Sequence, residues 1–348
     1  MFVKSLHGLG KWVHHYLLPL IIIAYLLAAV CPALGLSARH CAIVETERLK
    51  LTVPMILLAT LLFNAGLGAS AEGLGSILQR PLTVFAGVAV NLLLPVAFLV
   101  VLRMVLRGWH DPEEAGCLLL GLAIVAAMPI AGSSTAWSQN ANGNVALSLG
   151  LVLVSTLLSP ITTPLILSGL GSAANDAGAF PSMSGAATGS FLLTFVVIPS
   201  AGGLLARRVA GSDAVVRLKP LLRLINALVL LFLCYSNAAV ALPQVAADPD
   251  WDFLALVVAS VFSLCLMAFA SGWLLAKGLR VNGQDRRALM FGLGMNNNGS
   301  GMVLAASALV AAPWAIVPVL AYNLIQHIIA AGIRPTRPKR LSVIAQSI

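Results

Sequence analysis

The sequence predicts an all-α polytopic membrane protein of ten transmembrane helices, built as two inverted five-helix repeats. Three observations predict it. Of 348 residues, 59% are hydrophobic and only 9% charged, whereas a soluble domain carries about a quarter of its residues as charges. Apolar runs of roughly 20 residues, the length that crosses a hydrocarbon core, recur ten times. The fourth and ninth of these, at the same ordinal place in each set of five, are interrupted by glycine, serine and asparagine.

The runs fall at about 16–36, 50–69, 82–106, 115–138, 144–169, 187–206, 220–242, 252–276, 286–311 and 314–333. The first also reads as a secretory leader, because Lys4 and Lys11 precede an apolar stretch ending in "CPALGLSA". It is assigned as a span because a cleaved leader would leave an odd nine helices. Five spans per half put the second half into the membrane from the opposite side, which is the geometry of an inverted repeat. The repeats are placed at about 12–170 and 187–334, joined by the polar gap 170–186, within a single domain covering 1–348.

Orientation follows from Lys and Arg. With a cytoplasmic N-terminus, 16 basic residues fall in inner segments and 5 in outer ones, so both termini are expected inside the cell (inner) membrane. The same rule accounts for the net charge of +9 without nucleic acid. The five cysteines have neither metal-ligand spacing nor the density of a disulfide scaffold. Cys117, Cys234 and Cys265 read as packing residues, while Cys31 and Cys41 are near enough in sequence to pair.

The broken runs carry the function. "MPIAGSSTAWSQNANGN" in the fourth and "FGLGMNNNGSG" in the ninth are too rich in helix-weakening residues to remain helical throughout, and Pro129 removes a backbone donor. Unwound backbone at membrane depth is tolerated only inside protein or along a cavity. Matched interruptions in two halves point to a transporter binding site. Small residues can also serve close helix packing, the preferred reading for Ser271 and Gly272. Asn91 in "GVAVNLLLP" is a lone amide in the third run. In the tenth, Asn323 and His327 share a helix face. His327 is the one histidine that falls within a run and reads as a satisfied structural histidine.

At these residues the chain resembles the bile acid:sodium symporter family. The resemblance extends over nearly the whole chain and is most specific in "GNVALS…VSTLLSP…TP", with "QRPLTVFAGVAVNLLLP" and the asparagine–glycine ninth run beside it. It implies a panel of helices one, two, six and seven beside a core of the other six, where the broken helices cross. It also implies sodium-driven uptake of organic anions, bile-acid-like or smaller carboxylates. Carried over by position, the sodium ligands would be Asn91, Ser134, Thr135, Ser148 and Asn296, with Leu293 and Met295. The substrate would meet Ser133, Gln139, Asn297, Asn298 and Asn323. Two positions depart from the family. A threonine falls on Val152, and the glutamate shared by the two sodium sites falls on Gly292, leaving the membrane interior without a carboxylate.

The expected activity is therefore secondary transport of a small organic anion by alternating access, with sodium as the coupling ion and no other cofactor. The missing glutamate leaves open weak sodium binding, sodium binding jointly with the substrate's charge, or an uncoupled carrier. A proton antiporter would need a mid-membrane titratable group and an arsenite extruder a cysteine at the crossing, and the sequence is read as offering neither. An enzyme would need an acid, base or metal set at the cavity, where only His327 ionises. A channel is the remaining alternative from a different class.

Overall fold

The computed structural model describes residues 13, 16–46, 49–68, 79–174, 186–309 and 312–333. Lys4, Lys11 and the basic cluster after residue 333 lie outside them, as does most of the expected join between repeats. Helix occupies every one of the ten apolar runs. In chain order the helices are α1 (Leu17–Val30), α2 (Ala33–His40), α3 (Val53–Gly68), α4 (Pro81–Leu106), α5 (Pro112–Ala127), α6 (Ser133–Asn140) and α7 (Val145–Ala174). The second half holds α8 (Ala186–Leu192), α9 (Ile198–Ala210), α10 (Ser212–Ala238), α11 (Leu242–Ala247), α12 (Trp251–Gly278), α13 (Gly283–Gly294), α14 (Asn298–Ala308) and α15 (Val317–Gly332).

Among the described residues, six helical segments are long and apolar enough to cross a membrane: Pro81–Leu106, Val145–Leu170, Ala187–Ala210, Pro220–Ala238, Trp251–Gly278 and Pro313–Gly332. A seventh is formed if α1 and α2, bent by 86° at Cys31–Pro32, count as one. The chain is a polytopic membrane protein.

Two local features depart from the all-α expectation. Strands β1 (Ala42–Thr46) and β2 (Leu49–Thr52) form an antiparallel hairpin before α3. Its "LKLT" segment alternates apolar and polar residues, the pattern of a half-buried strand, and "AIVET" is rich in β-branched residues, which favour strands. The first apolar run also turns at Pro32, which cannot donate its missing N–H to continue α1. Cys31 and Cys41, on either side of α2, are free thiols.

Proline shapes the other irregularities. Pro164 has no N–H for the Pro160 carbonyl, and Gly189 of α8 comes against that freed carbonyl, where an added Cβ would lie 2.8 Å from it. Pro199 likewise withholds a donor, and the turn before it, Leu193–Val197, widens into a π-helix joining α8 to α9. Gly272 lies against the backbone of Leu289 and Met290, leaving 2.6 Å for a Cβ. Ser271 returns its hydroxyl to the Ala268 carbonyl at 2.7 Å. Both are packing residues, as expected.

The helices pack as two sets. In the first, α3 packs on α9, and α10 on α1 and α3. In the second, α4, α5 and α7 pack mutually, α12 packs on α13 and α15, and α5 meets α15 as α13 meets α7. The sets meet where α14 touches α3 and α10, α15 touches α1, and α8 touches α7. The breaks lie within the second set.

Candidate functional site

Helix α5 ends at Ala127 because Met128 turns extended ahead of Pro129, and α13 ends at Gly294 with Met295 extended. The two unwound stretches meet as a single antiparallel bridge between Ile130 and Asn296. Ala131 N–H donates to the Met295 carbonyl, and Asn297 N–H to the Pro129 carbonyl, each at 2.8 Å. A sheet-like bond pair thus replaces the helical bonds that both breaks forfeit, which makes unwound backbone sustainable at this depth.

The three consecutive asparagines do three different things. Asn296, 1% exposed, is the keystone. Its Oδ1 accepts from Asn91 Nδ2 at 3.0 Å, its Nδ2 donates to the Val125 carbonyl at 2.9 Å, and its backbone N–H donates to Gln326 Oε1 at 3.1 Å. It therefore holds α4, the end of α5 and α15 to one point. Asn297 is the N-cap of α14, accepting from Ser300 N–H at 3.3 Å. Asn298 is also 1% exposed, yet neither atom of its amide has a hydrogen-bond partner.

Other expected residues divide in the same way. Ser134 is fully buried with an unpartnered hydroxyl, and the Asn91 Oδ1 is unpartnered too. Ser148 donates to Thr135 Oγ1 at 3.4 Å. Ser133 and Gln139 are exposed on α6. Because Asn297 N–H is given to Pro129, the Leu293 carbonyl loses the donor four residues on, whereas the Met295 carbonyl is already engaged by Ala131. Asn323 lies away from the bridge and bonds instead to Tyr25 and Cys234 on the first set. His327 is buried, and its Nδ1 accepts from Trp137 Nε1 at 3.3 Å.

The structure also shows residues the sequence did not single out. Thr163 Oγ1 donates to the Ala127 carbonyl at 2.6 Å, and Ser155 Oγ accepts from Ile130 N–H at 3.1 Å. Together with Gln326 they satisfy the frayed ends. Their sequence signal was hydroxyls and an amide in apolar runs, indistinguishable from ordinary helix-to-helix bonding. Asp285 is a fully buried carboxylate at the start of α13, paired with Arg80 and accepting from Asn144 Nδ2 at 2.7 Å.

Gly292 faces an apolar wall. A Cβ there would lie 3.0 Å from Leu151 Cδ1, and Leu151 packs with Val84, Ile130, Leu147 and Leu289. Where the family places a carboxylate, this chain has leucine packing.

Two Bacillus subtilis (strain 168) proteins are similar over most of their length. "Uncharacterized protein YbaS" is 29% identical over 280 residues, 80% of this chain and 86% of that protein. "Uncharacterized sodium-dependent transporter YocS" is 27% identical over 273 residues, 76% and 78% respectively. The family profile described as "Sodium Bile acid symporter family" matches residues 55–248, a stretch that includes the fourth-run break, the "VSTLLSP" helix and α8 to α10. With the crossed breaks in place, that match settles the kinship: the chain belongs to the sodium bile acid symporter family of membrane transport proteins.

Proposed function

We propose that this protein is an alternating-access carrier of a small organic anion, with Asn298 and Ser134 as polar contacts of the substrate. The observation that carries the reading is Asn298. An amide buried with four unmet hydrogen-bonding positions costs about 1–3 kcal/mol per unsatisfied group, and a native fold retains such a group when a ligand meets it. It stands on the first turn of α14, whose N-terminal partial charge favours a carboxylate. Ser133 and Gln139, exposed on α6, extend the polar surface.

The ten-span reading rests on which loops touch. Arg80 precedes α4, Asn144 precedes α7 and Asp285 opens α13, and these three come together. On a ten-span count all three lie on the cytoplasmic side. His110, before α5, bonds Asp252 of α12 at 3.0 Å, and both count to the outside. The packing repeats as well: α3 on α9 corresponds to α1 on α10, and α5 on α15 to α13 on α7. These pairings support two inverted repeats, with the first set as panel and the second as core, in the cell membrane with both termini inside.

Sodium would be held by oxygens alone: Asn91 Oδ1, Thr135, Ser148 and the Leu293 carbonyl, with Asn296 fixing the geometry. With glycine at 292 and Asp285 already paired with Arg80, the substrate's own carboxylate is the counter-charge, so sodium and substrate bind together. The relative YocS is described as sodium-dependent, which supports coupling. The apolar wall at Gly292 favours a second reading, an uncoupled carrier. Organic acids selected by thermal shift of the purified protein, titrated calorimetrically in sodium and in choline, decide between them. Coupling of about 5–150-fold in affinity is expected. Equal affinities leave the uncoupled carrier. No binding by any acid, with no saturable uptake into vesicles, overturns the carrier itself.

A further inference from the structure

The seam between the two helix sets carries a side-chain polar cluster where α1 and α10 face α15. Tyr25 of α1 projects its hydroxyl across it, accepting from Asn323 Nδ2 at 3.0 Å and lying 3.4 Å from the Leu320 carbonyl and 4.0 Å from Met302 Sδ. Asn323 Nδ2 also lies 3.6 Å from the sulfur of Cys234 on α10. One amide of the second set thus holds two helices of the first, while one hydroxyl of the first reaches α14 and α15. The Asn323 amide and the Cys234 thiol are buried. Beside Tyr25, an open apolar groove of about 300 Å³ runs between α1 and α11, lined by Ile22, Leu26 and Val245, with Leu324 of α15 at its edge.

We propose that Tyr25 is the positioning residue that latches the two sets in the present conformation, acting through Asn323. Apolar side chains slide to a new register with little change in energy, because dispersion contacts are non-directional. A hydrogen bond is directional, and its separated groups have no water to turn to inside the seam. The Tyr25–Asn323 bond is therefore either made or broken, and relative motion of the sets must break it. Nothing at the crossing depends on Tyr25. The proposal rests on the carrier reading, since only a carrier requires the sets to move.

Cys234 supplies the reporter and Cys265 the control. Both are buried, but Cys265 lies inside the second set, with its sulfur 3.9 Å from the Gly294 carbonyl. Full-length protein in which Cys31, Cys41 and Cys117 are replaced by serine is reconstituted in lipid vesicles and treated with N-ethylmaleimide. Modification at each remaining cysteine is followed by mass spectrometry. Tyr25→Phe, which keeps the ring, should speed labelling of Cys234 by about two- to twelvefold, the population change produced by losing one ordinary hydrogen bond. Cys265 should be unaffected, and Asn323→Ala should act in the same direction. Unchanged labelling of Cys234 in both variants overturns the latch. Equal acceleration at Cys265 also overturns it, because the fold has then loosened generally. Saturable uptake by the same vesicles in either of those cases leaves the carrier reading standing.

Discussion

Asn91 gives its side-chain amide to Asn296 Oδ1 across 3.0 Å, although the two lie 205 residues apart, one on α4 and the other in the break between α13 and α14. The bond fixes the ninth-run break against α4, and Asn296 Nδ2 fixes the same residue to α5. Asn296→Ala should therefore act on the fold. It orphans the Asn91 amide, at about 1–3 kcal/mol, and leaves the Val125 carbonyl only the Met128 N–H at 3.3 Å, so thermal unfolding in detergent should show a clear fall. Asn298→Ala breaks no hydrogen bond. It should leave the unfolding midpoint near wild type while abolishing ligand-induced thermal shift. A midpoint lowered equally by both variants, with ligand response retained in Asn298→Ala, would refute this division of labour.

Arg80 and Asp285 make an asymmetric pair. Asp285 is fully buried, whereas the Arg80 side chain is 42% exposed. Arg80→Met leaves a buried carboxylate without its cation, and the loss should approach the roughly 3–5 kcal/mol of a broken buried pair. Asp285→Asn leaves an arginine free to turn to water and keeps an acceptor for Asn144, so its cost should be the smaller. Denaturation of the two variants side by side measures the order. The reverse order would mean that the carboxylate is not buried when the protein is in a membrane.

Much of this fold was legible because the membrane imposes a simple code. Length and apolarity mark each run, and the glycine–asparagine clusters mark both breaks. The individual asparagines were not legible. Asn296, Asn297 and Asn298 carry identical side chains in consecutive positions, and their tasks differ only through the backbone direction at each. Asn323 misled for a related reason: its helix position is near the site in sequence register, but its face turns to Tyr25 on the other set. The bend at Pro32 and the hairpin after it fall where an apolar run and a proline are compatible with either a bent helix or a simple helix end. The burial of Asp285 depends on Arg80 and Asn144, distant segments that no local pattern connects.

Topology has a direct check in exposed loop residues. Asp248 counts to the outside and Arg280 to the inside, and both lie outside the helices that cross. In a background without native cysteines, Asp248→Cys should react with an impermeant maleimide on intact cells. Arg280→Cys should react only after the cells are opened. Reaction of both on intact cells would sink the ten-span arrangement.

The N-terminal ends of α5 and α12 crowd carboxylates together. Desolvation raises the pKa of Glu114, the Trp109 indole opposes that shift, and the neighbouring Asp250 and Asp252 add to it. Asp250 is shifted down, chiefly by its hydrogen bond with Asp252 and by capping Phe253. A carboxyl whose folded pKa is raised disfavours the folded state once pH exceeds its unfolded value of about 4.3. Glu114→Gln keeps an acceptor for Trp109 Nε1 and removes that charge. It should stabilise the protein slightly at neutral pH, and the gain should vanish below about pH 4. Melting curves across that range follow the difference. The effect is small because water screens this surface. A gain that persists unchanged at acid pH would assign it to packing rather than charge.

The apolar wall beside Gly292 makes the last prediction conditional on a second residue. A glutamate at 292 must first place a Cβ 3.0 Å from Leu151 Cδ1, and then a carboxylate among Ile130, Leu147 and Leu289. Gly292→Glu alone should therefore destabilise the protein, because it adds both overpacking, at about 1–3 kcal/mol, and a charge without a partner. Leu151→Ala alone opens a cavity and should cost about 2–5 kcal/mol. The two together need not add, since the space vacated by one receives the other, and contacting sites couple by roughly 0.5–3 kcal/mol. The double variant should be more stable than the sum of the single losses. It should also gain thermal stability from sodium chloride over choline chloride with no organic acid present, a response the unaltered protein lacks. Sodium would then have a fixed counter-charge, so its binding should depend less on substrate. If the double variant folds and still makes no distinction between sodium and choline, the Gly292 position is not beside a cation path, and Leu151 packs there for stability alone.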